Sequence, residues 1–184
     1  MKVLTVLVPT YNVEKYLRRC LDSLLLPEVL EEIEVLVVND GSKDGSADIA
    51  RAYEKKYPQT VVFVDKENGG HGSTINVGIE KAQGTYFKVL DSDDWVNIGD
   101  FIEFIKRLKE ETADAVICDY RKEHVYNGKS EYFEYKDLED GKKYNLNEID
   151  LNILHGEYFM MATTTYRTAV SYTHLRAHET LANL

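Results

Sequence analysis

The sequence predicts an α/β fold, a mostly parallel sheet with helices on both faces. Short apolar runs alternate with stretches of helical periodicity through the first hundred residues, and a polar or glycine-rich cluster follows four of those runs. Alternating strands and helices build parallel sheets through right-handed crossovers. Such sheets bind ligands beyond the carboxyl ends of their strands. The clusters at 9–12, 39–42, 65–72 and 91–94 should therefore gather on one edge.

Taken in order, Val3 to Val8 is a short apolar run expected as a buried strand. Val13, Tyr16, Leu17, Cys20, Leu21, Leu24 and Leu25 recur at helical spacing, with Asn12 as N-cap and Pro27 as the stop. Ile33 to Val38 is the second strand, followed by a turn cluster at Asn39-Asp40-Gly41-Ser42. A helix from about Asp44 to Tyr57 turns Ile49, Tyr53 and Tyr57 inward, and Val61 to Val64 is the third strand. The glycine-rich loop Glu67 to Gly72 leads into a helix over Ser73 to Ala82, with Gly84 near its C-cap. Tyr86 to Leu90 is the fourth strand, ending at Asp91-Ser92-Asp93-Asp94. Phe101, Ile102, Phe104, Ile105 and Leu108 mark a further amphipathic helix, and Ala115 to Cys118 a further strand. Beyond Arg121, Tyr126-Asn127-Gly128-Lys129 signals a hairpin with aromatic flanks, and Ile149 to Leu154 a short helix.

Composition narrows the function. The 184 residues suit one domain with a sizeable core, and 43% hydrophobic with 29% charged residues is ordinary for a globular chain. A formal net charge of −10 argues against a nucleic-acid partner. An acidic protein that handles phosphates needs a local device: a helix N-terminus, a glycine loop or a bound cation. Two lone cysteines, Cys20 and Cys118, form no disulfide framework and point to a reducing, cytoplasmic setting. No apolar run approaches the roughly 18 residues of a membrane span, so no membrane segment is expected here; association of a longer protein with a membrane stays open.

Four motifs carry chemistry. Asp91 and Asp93, two apart at a strand end, can point into one site, where a divalent cation would bridge them to a diphosphate. The bland alternative is a solvated acidic loop capping the next helix. Pro9-Thr10-Tyr11-Asn12 sets a hydroxyl, a ring and an amide beside a helix start, where an anion or base edge can be met. Asp40, with Gly41 and Ser42, offers a carboxylate able to accept from a base, or simply an Asx turn. Asn68, Gly69 and Gly70 open a loop that lets backbone approach a ligand. Trp95 reads as core packing ahead of a sugar platform, and His71 as a residue that could approach a diphosphate.

Together these motifs resemble glycosyltransferase family 2, whose pattern is V-P-x-Y-N, V-N-D-G-S-x-D-G, an N-x-G loop and D-x-D-D. The matching stretches are Val8 to Asn12, Val38 to Gly45, Asn68 to Gly70 with Asn76 and Gly78, and Asp91 to Asp94. They span roughly residues 1–100 in order. The resemblance implies a Rossmann-like fold of GT-A type and inverting transfer from a nucleotide-diphosphate sugar, commonly a UDP-sugar, to a carbohydrate or other hydroxyl acceptor. It implies that Thr10, Tyr11 and Asp40 contact the base, that Asp91 reaches the ribose or the metal, and that Asp93 is the metal ligand, with Mn2+ or Mg2+ as cofactor. Pro9, Asn12, Gly41, Ser42, Asn68, Gly69, Gly70 and Ser92 complete the expected nucleotide site.

Residues 1–120 then form the sugar-nucleotide-binding core and 121–169 the start of an incomplete acceptor-side segment. Residues 170–184 contain V-S-Y-T-H-L-R-A-H-E-T, which resembles translated sequencing adapter and reads as a non-native tail. His174, His178 and Glu179 lack the order of a zinc helix motif. Inverting transfer needs a general base. No matching acidic pair stands between Arg121 and Ala169, and the setting of Glu157 does not match, so the base is expected beyond Ala169. A donor-binding fragment without turnover is the alternative. A haloacid-dehalogenase-type phosphatase also ends a strand in D-x-D, but Trp95 stands where its motif has threonine. A nicotinamide site would need glycines where Pro9 to Asn12 stand.

Overall fold

The computed structural model describes residues 1–124, 126–136, 138–145 and 161–170. The chain runs β1 (Leu4–Thr10), α1 (Glu14–Leu24), β2 (Ile33–Asp40), α2 (Ser46–Lys56), β3 (Val61–Lys66), α3 (His71–Lys81), β4 (Tyr86–Val89), α4 (Ile98–Leu108), β5 (Ala115–Ile117), β6 (Tyr120–His124), β7 (Lys129–Phe133) and β8 (Thr164–Arg167). Six strands form one sheet in the order β3-β2-β1-β4-β8-β5, and β6 pairs with β7 apart from it. The pairs β1–β2, β2–β3 and β1–β4 are parallel, whereas β8 runs antiparallel to both β4 and β5.

The apolar runs of β1 and β2 are buried along their whole length because helices cover both faces. Successive side chains alternate between those faces. Leu4, Val6 and Val8 join Ile33, Val35 and Val37 under α1, α2 and α4, through Leu17, Leu21, Ile49, Tyr53, Phe101 and Ile105. Leu7 joins Leu36, Val38, Phe87 and Val89 on the other face, under Ile75 and Ile79 of α3. A continuous apolar run in the sequence is thus two half-cores read through one strand.

Several local expectations change. Tyr16 is exposed rather than inward. Asn12 is not a cap: Val13 occupies that position, and Asn12 sits in a left-handed conformation at φ 54. The α3 helix ends at Lys81 with Ala82 as its C-cap, and Gly84 stands two residues beyond it; a Cβ there would lie 2.4 Å from the Thr5 amide nitrogen, and close approach to β1 is what requires glycine. Strand β8 is not among the strands expected above, although Thr163-Thr164-Thr165-Tyr166 is the β-branched and aromatic composition that strands favour. The helix expected at Ile149 to Leu154 lies outside the described residues, as do His155, Glu157 and the tail from 171. Among the described residues no helix is long and apolar enough to cross a membrane.

Candidate functional site

The chain builds β1, β2 and β3 outward to one side, then returns to lay β4 against the other edge of β1. At that reversal the loops after β1 and β4 part, and a crevice opens beyond the strand ends. A cleft of about 410 Å³ lies there. The β1 loop supplies Pro9, Thr10, Tyr11 and Val13, and the end of β2 supplies Asp40. The glycine loop and the start of α3 supply Asn68, Gly70, His71 and Thr74, and the β4 loop supplies Asp91, Ser92 and Asp93. All four polar clusters meet in one place. A second cleft of about 450 Å³, lined by Lys2 and Thr60 among others, lies by the amino ends of β1 and β3 and gathers none of them.

Asn12, Gly41, Ser42 and Gly69 stand behind this lining. The Asn12 amide donates to Ser42 Oγ at 3.0 Å, and Asn12 Oδ1 accepts from the Lys43 amide at 2.8 Å. The Val13 amide donates to Ser46 Oγ and the Gly45 amide to Glu14 Oε2. The loops after β1 and β2 are therefore tied to each other. Gly41, at φ 73, lets the second loop pass 3.1 Å from the Asn68 amide nitrogen, measured from where a Cβ would stand.

Asp40 is almost fully buried and densely bonded. Its carboxylate accepts from the Gly69 amide at 2.9 Å, the Gly70 amide at 2.8 Å and Lys66 Nζ at 2.5 Å. Burial pushes its pKa up, but the Lys66 ammonium and the two amides outweigh it, and the group is held below the ordinary carboxylate value. Lys66 is absent from the sequence-based site. The available signal was its place at the end of β3, beside the end of β2: Asp40 and Lys66 are register partners.

At the tip of β4, Ser92 is buried while Asp93 is exposed, and a turn closes with the Asp94 amide donating to Asp91 O at 2.9 Å. Helix α1 braces the loop from behind: Ser23 Oγ accepts from the Val96 amide, and Cys20 Sγ lies 3.8 Å from Asp91 O. Burial pushes the Cys20 thiol pKa up, and the charges of Asp94, Asp93 and Asp91 add to the shift. Loss of solvation, then the charges of Asp93 and Asp91, holds the Asp94 carboxyl above its usual value. The tip thus carries a surplus of negative charge that a cation would relieve. Buried Lys88, lower on β4, is spent on the Ala162 carbonyl.

Among the described residues no group of three or more His, Cys, Asp and Glu side chains could hold an ion alone. One or two carboxylates at an open tip fit magnesium or manganese, which keep water ligands and take phosphate oxygens. His71 Nε2 lies 3.2 Å from Asp91 Oδ1, so the start of α3 meets the acidic tip across the cleft. Trp95 is neither core nor free platform: the Arg19 guanidinium stacks over its ring at 3.2 Å from the centroid.

The hairpin β6–β7 forms where Asn127-Gly128 predicts it, with Gly128 at φ 65 and Tyr120 stacked on Phe133 at 4.7 Å. His124 pairs with Glu131 there, remote from the cleft lining.

Comparison with known proteins shows the family and the fold. The family model described as Glycosyl transferase family 2 matches residues 5–165. The Bacillus subtilis protein EpsH is 41% identical over 126 residues, covering 68% of this chain and 36% of EpsH. Glycosyltransferase GlyA of Streptococcus pneumoniae is 38% identical over 118 residues, covering 64% of this chain and 16% of GlyA. The crystal structure of S. aureus TarS 1-349 superimposes with a TM-score of 0.71 at 29% identity, over 94% of this chain and 48% of that one. The same protein in complex with UDP-GlcNAc gives 0.65 at 26% identity, over 94% and 47%. The chain thus spans only part of each of these proteins.

Proposed function

This chain belongs to glycosyl transferase family 2, and on that premise we propose that its cleft binds a nucleotide-diphosphate sugar, a UDP-sugar, for metal-dependent, inverting transfer to an acceptor hydroxyl. The observation that carries the proposal is the convergence of Asp91 and Asp93 with Thr10, Asp40 and the start of α3 in one cleft at the sheet's reversal. The TarS complexes with UDP and UDP-GlcNAc support the choice of donor.

In this reading Thr10, Tyr11 and Asp40 form the base end of the cleft, with the half-exposed Tyr11 ring at the rim. Gly70 and His71 bring the amino end of an eleven-residue helix to the diphosphate, where backbone N–H groups and the helix dipole favour negative charge. Asp93, with Asp91, would hold magnesium or manganese. Bound there, the ion would act as a Lewis acid that balances the charge of the departing diphosphate. The bonds between the loops after β1 and β2 hold the base-end groups beside one another. Inversion requires attack from the face opposite the diphosphate, with a base removing the acceptor's proton. We assign no such base among the described residues; residues 121–169 are the proposed start of the acceptor side. Two free cysteines support a cytoplasmic location.

The test is a thermal-shift series with UDP, manganese, both together, and an Asp93→Ala variant. At a hundredfold excess over Kd, a ligand that binds only the folded state adds about 2.7 kcal/mol. UDP with manganese should raise the wild-type Tm by several degrees, and UDP alone by much less. Equal shifts in wild type and Asp93→Ala would refute Asp93 as the ligand.

A further inference from the structure

We propose that Lys66 is a positioning residue of the donor site, one that sets the shape of the glycine loop without lining the cleft. This rests on the donor-binding reading above. The Lys66 ammonium has three protons and three acceptors: Asp40 Oδ1 at 2.5 Å, the Glu67 carbonyl at 2.6 Å and Ser73 Oγ at 2.9 Å. Two of these acceptors, Asp40 and Ser73, continue the circuit, and Asn68 adds a further tie to Asp40. Asp40 takes the Gly69 and Gly70 amides, Ser73 Oγ donates to the Gly70 carbonyl at 2.7 Å, and Asn68 Nδ2 donates to the Asp40 carbonyl at 2.9 Å. Residues 66 to 73 are thereby closed on one ammonium.

The circuit is tight. A Cβ on Gly69 would stand 2.8 Å from Ser73 Oγ and 3.1 Å from Lys66 Nζ. It is also partly shielded, with the Asp40 side chain 5% and the Lys66 side chain 21% exposed, so its charge-assisted bonds are weakly screened. Asn68, Gly70 and His71 line the cleft, whereas Lys66 does not. Lys66 therefore acts on ligand through them. One end of the loop sets the wall beside Asp40, and the other sets where α3 begins and where His71 meets Asp91. A carboxylate offers about four acceptor positions, so the clasp leaves room on Asp40 for one more donor, such as a base N–H.

The experiment measures UDP and CDP binding in the presence of manganese, alongside amide exchange, for wild type, Lys66→Met, Asp40→Asn and Arg51→Met. Methionine keeps the apolar stem and removes the charge. Lys66→Met should weaken UDP about tenfold while keeping the UDP-to-CDP preference within about twofold, and the Gly69 and Gly70 amides should exchange faster. Arg51→Met removes an ion pair of β3, Arg51 to Asp65 at 2.8 Å, that lies off the cleft lining; it should leave UDP binding unchanged. Wild-type UDP affinity in folded Lys66→Met overturns the proposal. So does a loss of base preference as large as that of Asp40→Asn, which would mean that Lys66 touches the ligand. If Lys66→Met does not fold, Ser73→Ala opens the same circuit and should weaken UDP in the same sense; unchanged affinity there is equally fatal. Failure of the wild type to bind UDP sinks the donor reading instead, and amide exchange at Gly69 and Gly70 still tests the clasp.

Discussion

Two glycines in this chain, alike in composition tables, have opposite physical roles. At Gly84 a Cβ would meet backbone on one side and a bonded hydroxyl on the other: Thr5 N at 2.4 Å, Leu4 C at 2.6 Å and Thr5 Oγ1 at 2.9 Å. The same turn is held by the Gly84 amide donating to Thr5 Oγ1, which itself donates to buried Glu34. Backbone cannot yield as a side-chain end can, so Gly84→Ala should destabilise by about 3 kcal/mol, read as a lower urea midpoint. Gly99, in the first turn of α4, meets nothing nearer than Asn97 Oδ1 at 3.7 Å. Gly99→Ala should leave stability unchanged or raise it by about 0.5 kcal/mol, because only the unfolded chain loses freedom. Equal midpoints for both variants would sink the distinction. Nothing in the sequence separates the two, since the difference is that β1 passes behind Gly84 and no strand stands within 4 Å of a Cβ at Gly99.

At the scale of elements, α4 shows how its two ends are secured. Asn97 accepts from the Gly99 and Asp100 amides at the start. Beyond the end, Glu111 joins the helix to β5. Its side chain takes the Lys143 ammonium at 2.6 Å and the Ala113 and Thr112 amides. The Lys143 bond first, then the Ala113 amide, hold the Glu111 pKa down at about 2, against an ordinary 4.5. A depressed carboxylate pKa adds stability above its unfolded value and loses it as pH falls through the folded value. More than half of the Lys143 side chain is exposed, so its share is screened to about 1 kcal/mol. Urea midpoints of wild type and Lys143→Ala should differ near neutrality and converge as pH falls from 4.5 toward about 2. A gap that persists through that window would remove Lys143 as the cause. The ion pair joins residues far apart in sequence, which hides it from any local pattern.

The whole molecule depends on a strand that arrives late in the chain. Thr165 of β8 faces Lys88 of β4 on one side and Val116 of β5 on the other. The sheet is therefore extended beyond β4 by residues some seventy positions after the acidic tip, and β5 is joined to it only through them. Thr165→Pro removes an amide from the interior of the sheet and should cost about 3 kcal/mol or more. The variant should lower the urea midpoint of the whole transition, and a midpoint equal to wild type would show that β8 is dispensable to the sheet.

Much of this architecture is set by pattern within the chain. Short apolar runs and period-3.6 hydrophobicity place β1 to β4 and α1 to α4 because each buries apolar side chains against a neighbour close in sequence. The end of each strand marks where Thr10, Asp40, Asn68 and Asp93 must stand. Tertiary structure alone decides that β8 enters antiparallel, that Asn12 and Ser42 tie loops together, that Arg19 covers Trp95, and that Asp40 is clasped by Lys66. The reason is physical: hydrophobic periodicity is written locally, whereas a hydrogen bond between two strand ends depends on register, which no single segment of the sequence contains.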